Sequence, residues 1–201
     1  MPKKFSEAEK NRIQQKLLES GRSLVSRYGF KKTSVDELTK GAGIAAGTFY
    51  GFYQSKEELF FELVEVEENR IRTTLLEHAA NRPVDKESFK LFLLESFQLM
   101  SNNPIIQQIL LTESFEAILR KLPPERLERN YNEDQDILLP FIQKWQTAGV
   151  LTKKSSPELI VSMIRSLFLL SLHKREIGEA VYDDTLKLLI TTMANGLFAR
   201  D

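Results

Sequence analysis

Cysteine is absent from all 201 residues, which removes disulfides, thiolate metal sites and cysteine nucleophiles, and accords with a reducing compartment. Histidine is scarce: His78 and His173 are the two imidazoles, and they lie in no metal-ligand spacing. No glycine-rich phosphate loop is present. No stretch approaches the roughly 18 consecutive apolar residues of a membrane span, and the Met-Pro-Lys-Lys start lacks the apolar run of a signal peptide. The expectation is a soluble, cytoplasmic chain with no metal, no cofactor, no membrane partner and no enzymatic activity. Glu62, Glu65, Glu67 and Glu68 are too clustered to ignore, but they read as the solvated face of a helix rather than a catalytic pair.

Net charge is the other missing quantity. Lys and Arg number 28 and Asp and Glu 28, a balance that at first argues against nucleic acid. The charges are unevenly spread, however. Residues 1–56 hold eleven Lys and Arg against five Asp and Glu, a net of +6, and residues 57–201 hold seventeen against twenty-three, a net of −6. A basic head has the footprint of phosphate contact, whereas an acidic body is repelled by DNA and held away from it.

No segment alternates apolar and polar residues as a strand does, and apolar residues recur at helical spacing throughout, so the class is all-α. The first helix carries Ile13, Leu17, Leu24 and Tyr28 on one stripe. Gly29 stops it, as a glycine in the left-handed position past a helix end, with Phe30 folding back on the last turn. Ser34 and Glu37 form a capping box for a short helix that closes at Gly41-Ala42-Gly43-Ile44, and a second short helix runs from Ala46 to Tyr53. Ser55 and Glu58 make another box. They open a helix of roughly 25 residues to Asn81, about 37 Å long, that carries Leu59, Phe60, Leu63, Val64, Ile71 and Leu75.

Beyond the break at Arg82-Pro83-Val84-Asp85, a helix over 86–101 holds Phe89, Phe92, Leu93, Phe97 and Met100. Asn103 caps the next, with Pro104 in its first position, and that segment runs to Leu122 with a division near Thr112. Residues 125–148 read as helical up to Gly149, with Pro140 expected to kink or divide them. Ser156-Pro157 and Tyr182-Asp183-Asp184 open the last two long helices, for about nine in all.

Val35 to Tyr53 has the plan of a helix-turn-helix. Leu38, Ala42, Ile44, Phe49 and Phe52 fall where two short helices and their supporting helix need apolar contacts, Thr39 and Ala42 are small enough for close approach, and Gly43 sits where a left-handed backbone favours glycine. The stretch Gly41-Ala42-Gly43-Ile44-Ala45-Ala46-Gly47-Thr48-Phe49-Tyr50-Gly51-Phe52-Tyr53-Gln54-Ser55-Lys56-Glu57-Glu58-Leu59 resembles the TetR/AcrR family of one-component regulators. The likeness covers the first ~65 residues; further on it extends to length, helical content and helix order.

The resemblance implies a three-helix DNA-binding domain over 1–55 and a helical effector-binding and dimerisation domain over 56–201. It implies a repressor that binds a palindromic operator in double-stranded DNA as a homodimer and responds to a small apolar or amphipathic effector. By the same resemblance, Val35 to Ala42 crosses the DNA backbone and Ala46 to Phe52 enters the major groove. The DNA-binding set is Lys31, Thr33, Ala45, Ala46, Gly47, Thr48, Tyr50, Tyr53 and Lys56, with Thr33, Thr48, Tyr50 and Lys56 on phosphates. Two positions depart from the family: Ala45 stands where Ser often caps the recognition helix, and Gly51 where a larger polar residue is usual. Each departure weakens the helix by about 1 kcal/mol, and base reading is left to close backbone approach, thymine methyl contact with the alanines and DNA shape.

In the body, Phe92, Phe97, Met100, Phe115, Leu119, Phe141, Trp145 and Met163 are the candidates to line an effector pocket. The last two long helices are apolar on more than one face, so Leu159, Met163, Leu167, Leu170, Leu186, Leu189, Ile190, Met193 and Leu197 are expected at a four-helix dimer interface. The helix beginning at Lys56 is the expected lever between effector and DNA. A helical adaptor, using its helix-turn-helix for protein contact, is the competing function outside enzymology.

Overall fold

In a computed structural model, residues 5–109 and 114–198 are described, with the backbone alone for Ser114, Ala117, Tyr131, Glu133 and Asp134. They form eleven helices: α1 Glu7–Tyr28, α2 Val35–Ala42, α3 Ala46–Phe49, α4 Lys56–Ala80, α5 Lys86–Asn102, α6 Pro104–Ile109, α7 Ser114–Leu119, α8 Pro124–Thr147, α9 Pro157–Ser171, α10 Lys174–Ile177 and α11 Tyr182–Leu197. The all-α class stands. The count exceeds nine because α6 and α7 are separate helices and α10 is an extra turn; the division expected near Thr112 lies outside the described residues. Pro140 does not divide α8. Pro140 and Asp136 are both exposed, so water can serve the carbonyl that loses its helical donor.

The chain forms two compact units. One comprises the described parts of Met1–Asn69 and Asn102–Pro123, the other Arg70–Ser101 with the described parts of Pro124–Asp201. Helix α4 starts in the first and ends in the second.

The first unit is built on α1, whose start Ser6 and Glu9 cap reciprocally. Its inward stripe is turned from the expected one: Leu17, Leu18, Ser20, Gly21 and Val25 are buried, whereas Tyr28 is 54% exposed. Ser20 and Gly21 do not read as apolar, yet they let two helices come close. A Cβ on Gly21 would stand 2.8 Å from Leu59 Cδ2, and one on Gly41 would stand 2.2 Å from Ser20 Oγ. Leu38, Phe49, Leu59, Phe60, Leu63 and Val64 fill the centre, with Ile105, Ile106 and Ile109 from α6.

A buried carboxylate braces this unit. Glu67 was expected on a solvated face, but the residue is 3% exposed. It accepts hydrogen bonds from the Arg22 guanidinium and, at 2.7 Å, from Asn103 Nδ2. Asn103 Oδ1 meanwhile caps α6, accepting from the N–H groups of Ile105 at 2.9 Å and Ile106 at 3.1 Å. One acid thus ties α1, α4 and the head of α6 together. Nearby, Lys121 Nζ donates to buried Glu57 at 2.7 Å. Burial pushes the Glu57 carboxyl up, but the Lys121 hydrogen bond and charge outweigh it and hold the group below its usual range.

The second unit packs α5, α8, α9 and α11 about Phe89, Leu93, Ile142, Trp145, Ile160 and Ile190. Gln146 is buried and donates from Nε2 to the carbonyls of Thr152 and Ser155, both at 2.8 Å, closing the turn after α8. The Thr152 N–H donates to Leu197 O at 2.7 Å. On α4 and α5, the Glu95 carboxylate sits 2.5 Å from His78 Nδ1 and accepts from Arg82 at 2.9 Å.

Candidate nucleic-acid interface

Local chemistry dictates the helix-turn-helix. Ser34 Oγ accepts from the Glu37 N–H at 3.3 Å, and the Glu37 carboxylate accepts from the Ser34 N–H at 2.8 Å, a complete capping box. The backbone and hydroxyl of Ser34 hold the Glu37 carboxyl below its ordinary range. Helix α2 ends at Gly43, whose φ of 70° and ψ of 36° are left-handed as glycine permits. Thr39 is buried and returns its hydroxyl to the carbonyls of Val35 and Asp36, and Leu38, Ala42 and Phe49 close the angle between the helices.

Ala45 leads into α3 and makes no side-chain cap. The α-helical part is four residues long, shorter than the expected span to Phe52. The chain continues in tight turns, with Gly51 N–H bonded to Thr48 O at 3.1 Å and Phe52 N–H to Phe49 O at 2.9 Å. An uncapped start and a glycine near the end account for the shortening. The second capping box is also modified. Ser55 Oγ caps the Glu58 N–H at 3.3 Å, but the Glu58 carboxylate takes the N–H of Gln54 rather than of Ser55, at 2.7 Å.

Six of the nine residues expected at DNA are accessible. Lys31, Ala45, Ala46 and Gly47 are exposed, Thr48 is half-buried, and Tyr50 is 63% exposed with its ring edge-on to buried Phe49. A Cβ added at Gly47 would meet nothing within 4 Å, so the backbone there is open to outside approach. A groove of about 300 Å³ lies beside this surface, where Thr48 and Gly51 face Lys10, Asn11 and Gln14 of α1.

Two expected residues are corrected by burial. Thr33 and Tyr53 are each 2% exposed. The Thr33 hydroxyl donates to Gly29 O at 3.0 Å, and the Tyr53 ring packs 5.6 Å from that of Phe49; both serve the fold. Lys56 is half-buried, and its ammonium donates to Thr33 O at 2.8 Å and Phe30 O at 3.3 Å.

The other two candidate sets divide as well. Of the eight pocket residues, Phe115 and Leu119 belong to the first unit and six to the second. Phe92, Phe97 and Trp145 are buried in the second unit's core: Phe92 stacks on Phe141 with centroids 5.5 Å apart, and Phe97 on Phe168 at 4.8 Å. Met100 is half-buried.

Of the interface set, Leu186 and Ile190 pack in the core of the second unit, at 8% and 0% exposure. Leu159 and Leu189 are exposed. Met163, Leu167, Leu170, Leu189, Met193 and Leu197 line an apolar groove of about 530 Å³ along α9 and α11. Among the described residues, no helix is long and apolar enough to cross a membrane.

Residues 17–63 match the model of the tetR family of bacterial regulatory proteins, a span that contains the whole helix-turn-helix. Over that span the chain is similar to this family. It is 34% identical over 77 residues to the HTH-type transcriptional regulator AcrR of Shigella flexneri, a match covering 38% of this chain and 36% of that one. The chain therefore aligns with about a third of that relative's length. It is 22% identical over 151 residues to the fatty acid metabolism regulator protein of Bacillus subtilis, covering 74% of this chain and 77% of that protein. The crystal structure of a TetR-family transcriptional regulator from Pectobacterium atrosepticum superimposes with a TM-score of 0.77 at 22% identity, over 98% of this chain and 99% of the other. That fold likeness extends beyond the N-terminal match, and each of the three relatives is by name a regulator.

Proposed function

We propose that this protein is a cytoplasmic, ligand-responsive transcription regulator of the tetR family. It acts as a repressor, binding a palindromic operator as a homodimer and being released by a small apolar or amphipathic effector. The observation that carries the proposal is the exposed turn of Ala45, Ala46, Gly47, Thr48 and Tyr50, set on the basic end of the chain. The Tyr50 and Thr48 hydroxyls and the Lys31 ammonium meet phosphate oxygens, which orient the unit without reading sequence. The alanine methyls and the open backbone at Gly47 approach base edges and favour thymine methyl groups and groove shape over bidentate hydrogen bonding.

Dimerisation uses the α9–α11 groove, with a second copy covering Leu159 and Leu189. Two-fold pairing sets two reading turns about 34–36 Å apart, or a multiple of that, to meet successive major grooves. An effector that binds one spacing better than the other shifts the population toward or away from DNA binding. The aromatic helices of the second unit and the relative in fatty acid metabolism support an effector with an apolar body.

A gel shift over a salt series tests the reading. A DNA-binding dimer loses affinity steeply as salt rises, and Tyr50→Phe weakens binding to all sequences alike. Weak, salt-independent binding would instead favour the helical adaptor.

A further inference from the structure

We infer that Gly196 is the point of closest approach in the homodimer, where the α11 backbone of one copy, with no side chain over it, takes a helix of the second copy. The role rests on the dimerisation proposed above and names the residue that sets how near the two copies come.

Four of the nine glycines adopt positive φ, and a Cβ on three more would stand within 3.3 Å of a neighbouring atom. Gly47 and Gly196 remain. Among the described residues, a Cβ on either would meet nothing within 4 Å, and Gly47 lies on the turn proposed to face DNA. Gly196 lies in the last turn of α11 but does not end it: the Phe198 N–H still donates to Ala194 O at 3.0 Å, and Leu197 O accepts from the Thr152 N–H at 2.7 Å. Glycine is among the poorest helix formers, and no described residue of this chain requires one there.

The surroundings of Gly196 name the partner. It lines the apolar groove of about 530 Å³ with Met163, Leu170, Leu189 and Met193, and no lining residue is charged, which disfavours nucleic acid or an anionic peptide. Leu159, Met163, Ser166 and Leu170 recur at steps of four, three and four on α9, and Leu189, Thr192 and Gly196 at three and four on α11, the spacing of helices that pack on helices. All seven are exposed or half-buried, while Ile160, Ile164, Leu186 and Ile190 on the same helices are buried in the core. Ridge and low point share one face, so a two-fold pairing can seat the exposed Leu159 and Leu189 of each copy against the other. Helices of 15 and 16 residues present a face of roughly 24 by 20 Å, or about 500 Å² per copy. The pair reaches about 1,000 Å², where a specific interface begins. At the narrowest point a backbone without Cβ lets the helix axes approach to about 8 Å.

The test uses the full chain in two backgrounds. Sedimentation over a dilution series gives the dimer dissociation constant, which Gly196→Ala is expected to raise about tenfold and Gly196→Leu at least about a hundredfold, since each substitution enters a two-fold interface twice. In the Leu189→Glu background, expected to be monomeric, Gly196→Ala should instead raise the Tm by about 2–4 °C, because alanine favours the helix and its methyl group meets nothing within the chain. Packing inside one copy would not produce these opposite signs.

A Gly196→Leu dimer whose dissociation constant stays within about twofold of the parent value would overturn the inference. So would a Tm lowered by Gly196→Ala in the monomeric background, which would show that the chain itself uses the space. If Gly196→Leu does not fold, Gly196→Ala decides, and an unchanged dissociation constant overturns the inference. A parent chain that is monomeric throughout the series would leave the groove to another occupant and count against the dimer itself. A dimer that persists in Leu189→Glu would count against the groove as its interface. Both results are distinct from a parent dimer that is indifferent to the residue at position 196.

Discussion

Asn103→Asp is a near-isosteric change whose effect follows from two opposed hydrogen bonds. Asn103 faces Glu67 with its Nδ2 donor at 2.7 Å and caps α6 with its Oδ1 acceptor. Aspartate keeps the cap, at which it is as effective as asparagine, and replaces the donor with a carboxylate oxygen. Two unit charges ~3 Å apart repel by about 5–6 kcal/mol at an effective dielectric of about 20. Taking up a proton to avoid that repulsion costs about 4 kcal/mol at pH 7 for a group with a pKa near 4. The Arg22 guanidinium and the α6 N-terminus offset part of either cost, which leaves an expected loss of about 2–3 kcal/mol at pH 7.

The pH dependence has a definite sign. A carboxyl pair sharing a proton has one folded-state pKa raised, so the variant regains stability as pH falls and the deficit narrows toward pH ~4.5. Glu67→Gln combined with Asn103→Asp reverses the roles: the amide introduced on α4 donates to the carboxylate introduced at the α6 cap, and its carbonyl accepts from Arg22. The double variant should recover to within about 1 kcal/mol of the parent. Urea unfolding followed by circular dichroism at pH 7 and pH 5 measures all three proteins. A single variant as stable as the parent at pH 7, or a double variant no better than the single, would show that Glu67 does not tie α4 to the α6 cap.

Further outcomes follow from the same geometry. Gly41→Ala gains about 1 kcal/mol of helix propensity, yet it should destabilise the chain by about 1–3 kcal/mol because the new Cβ would stand 2.2 Å from Ser20 Oγ; adding Ser20→Ala should restore part of the loss, and a net gain in Tm for Gly41→Ala alone would refute the close approach. Glu37 has a lowered pKa, so its contribution to stability is present above the ordinary carboxylate range and is lost as pH falls through the lowered folded value; a thermal-melt series of Glu37→Gln should show a flatter decline on the acid side than the parent. Leu189→Glu on the rim of the α9–α11 groove is expected to keep helical circular dichroism and to sediment as a monomer, and a dimer that persists would place the interface elsewhere.

The sequence discloses most where chemistry is local. The Ser34–Glu37 box, the left-handed Gly43 and the Asn103 cap with Pro104 behind it all stand as read, because each depends on residues within four positions. What escaped depends on partners far along the chain. Glu67 sits in a run of glutamates and reads as solvated until Arg22 and Asn103 arrive from 45 and 36 residues away. Ser20 and Gly21 face inward because α2 and α4 press against them, and a periodicity of apolar residues does not register small ones. Thr33 and Tyr53 have the right groups for phosphate, but only the packed turn reveals that they point inside. Ile190 and Leu186 are apolar like their neighbours, and which face meets the core is decided by α5 and α8.

In the proposed function, the exposed turn from Ala45 to Tyr50 reads a symmetric DNA site. Selection of bound duplexes from a random pool by the full chain, at near-physiological salt, tests it most directly. The expected product is a two-fold-symmetric site whose enrichment disappears when Ala46→Glu places a charge on that turn without lowering the Tm. A pool that shows no enriched sequence, or a site selected equally well by Ala46→Glu, would contradict it.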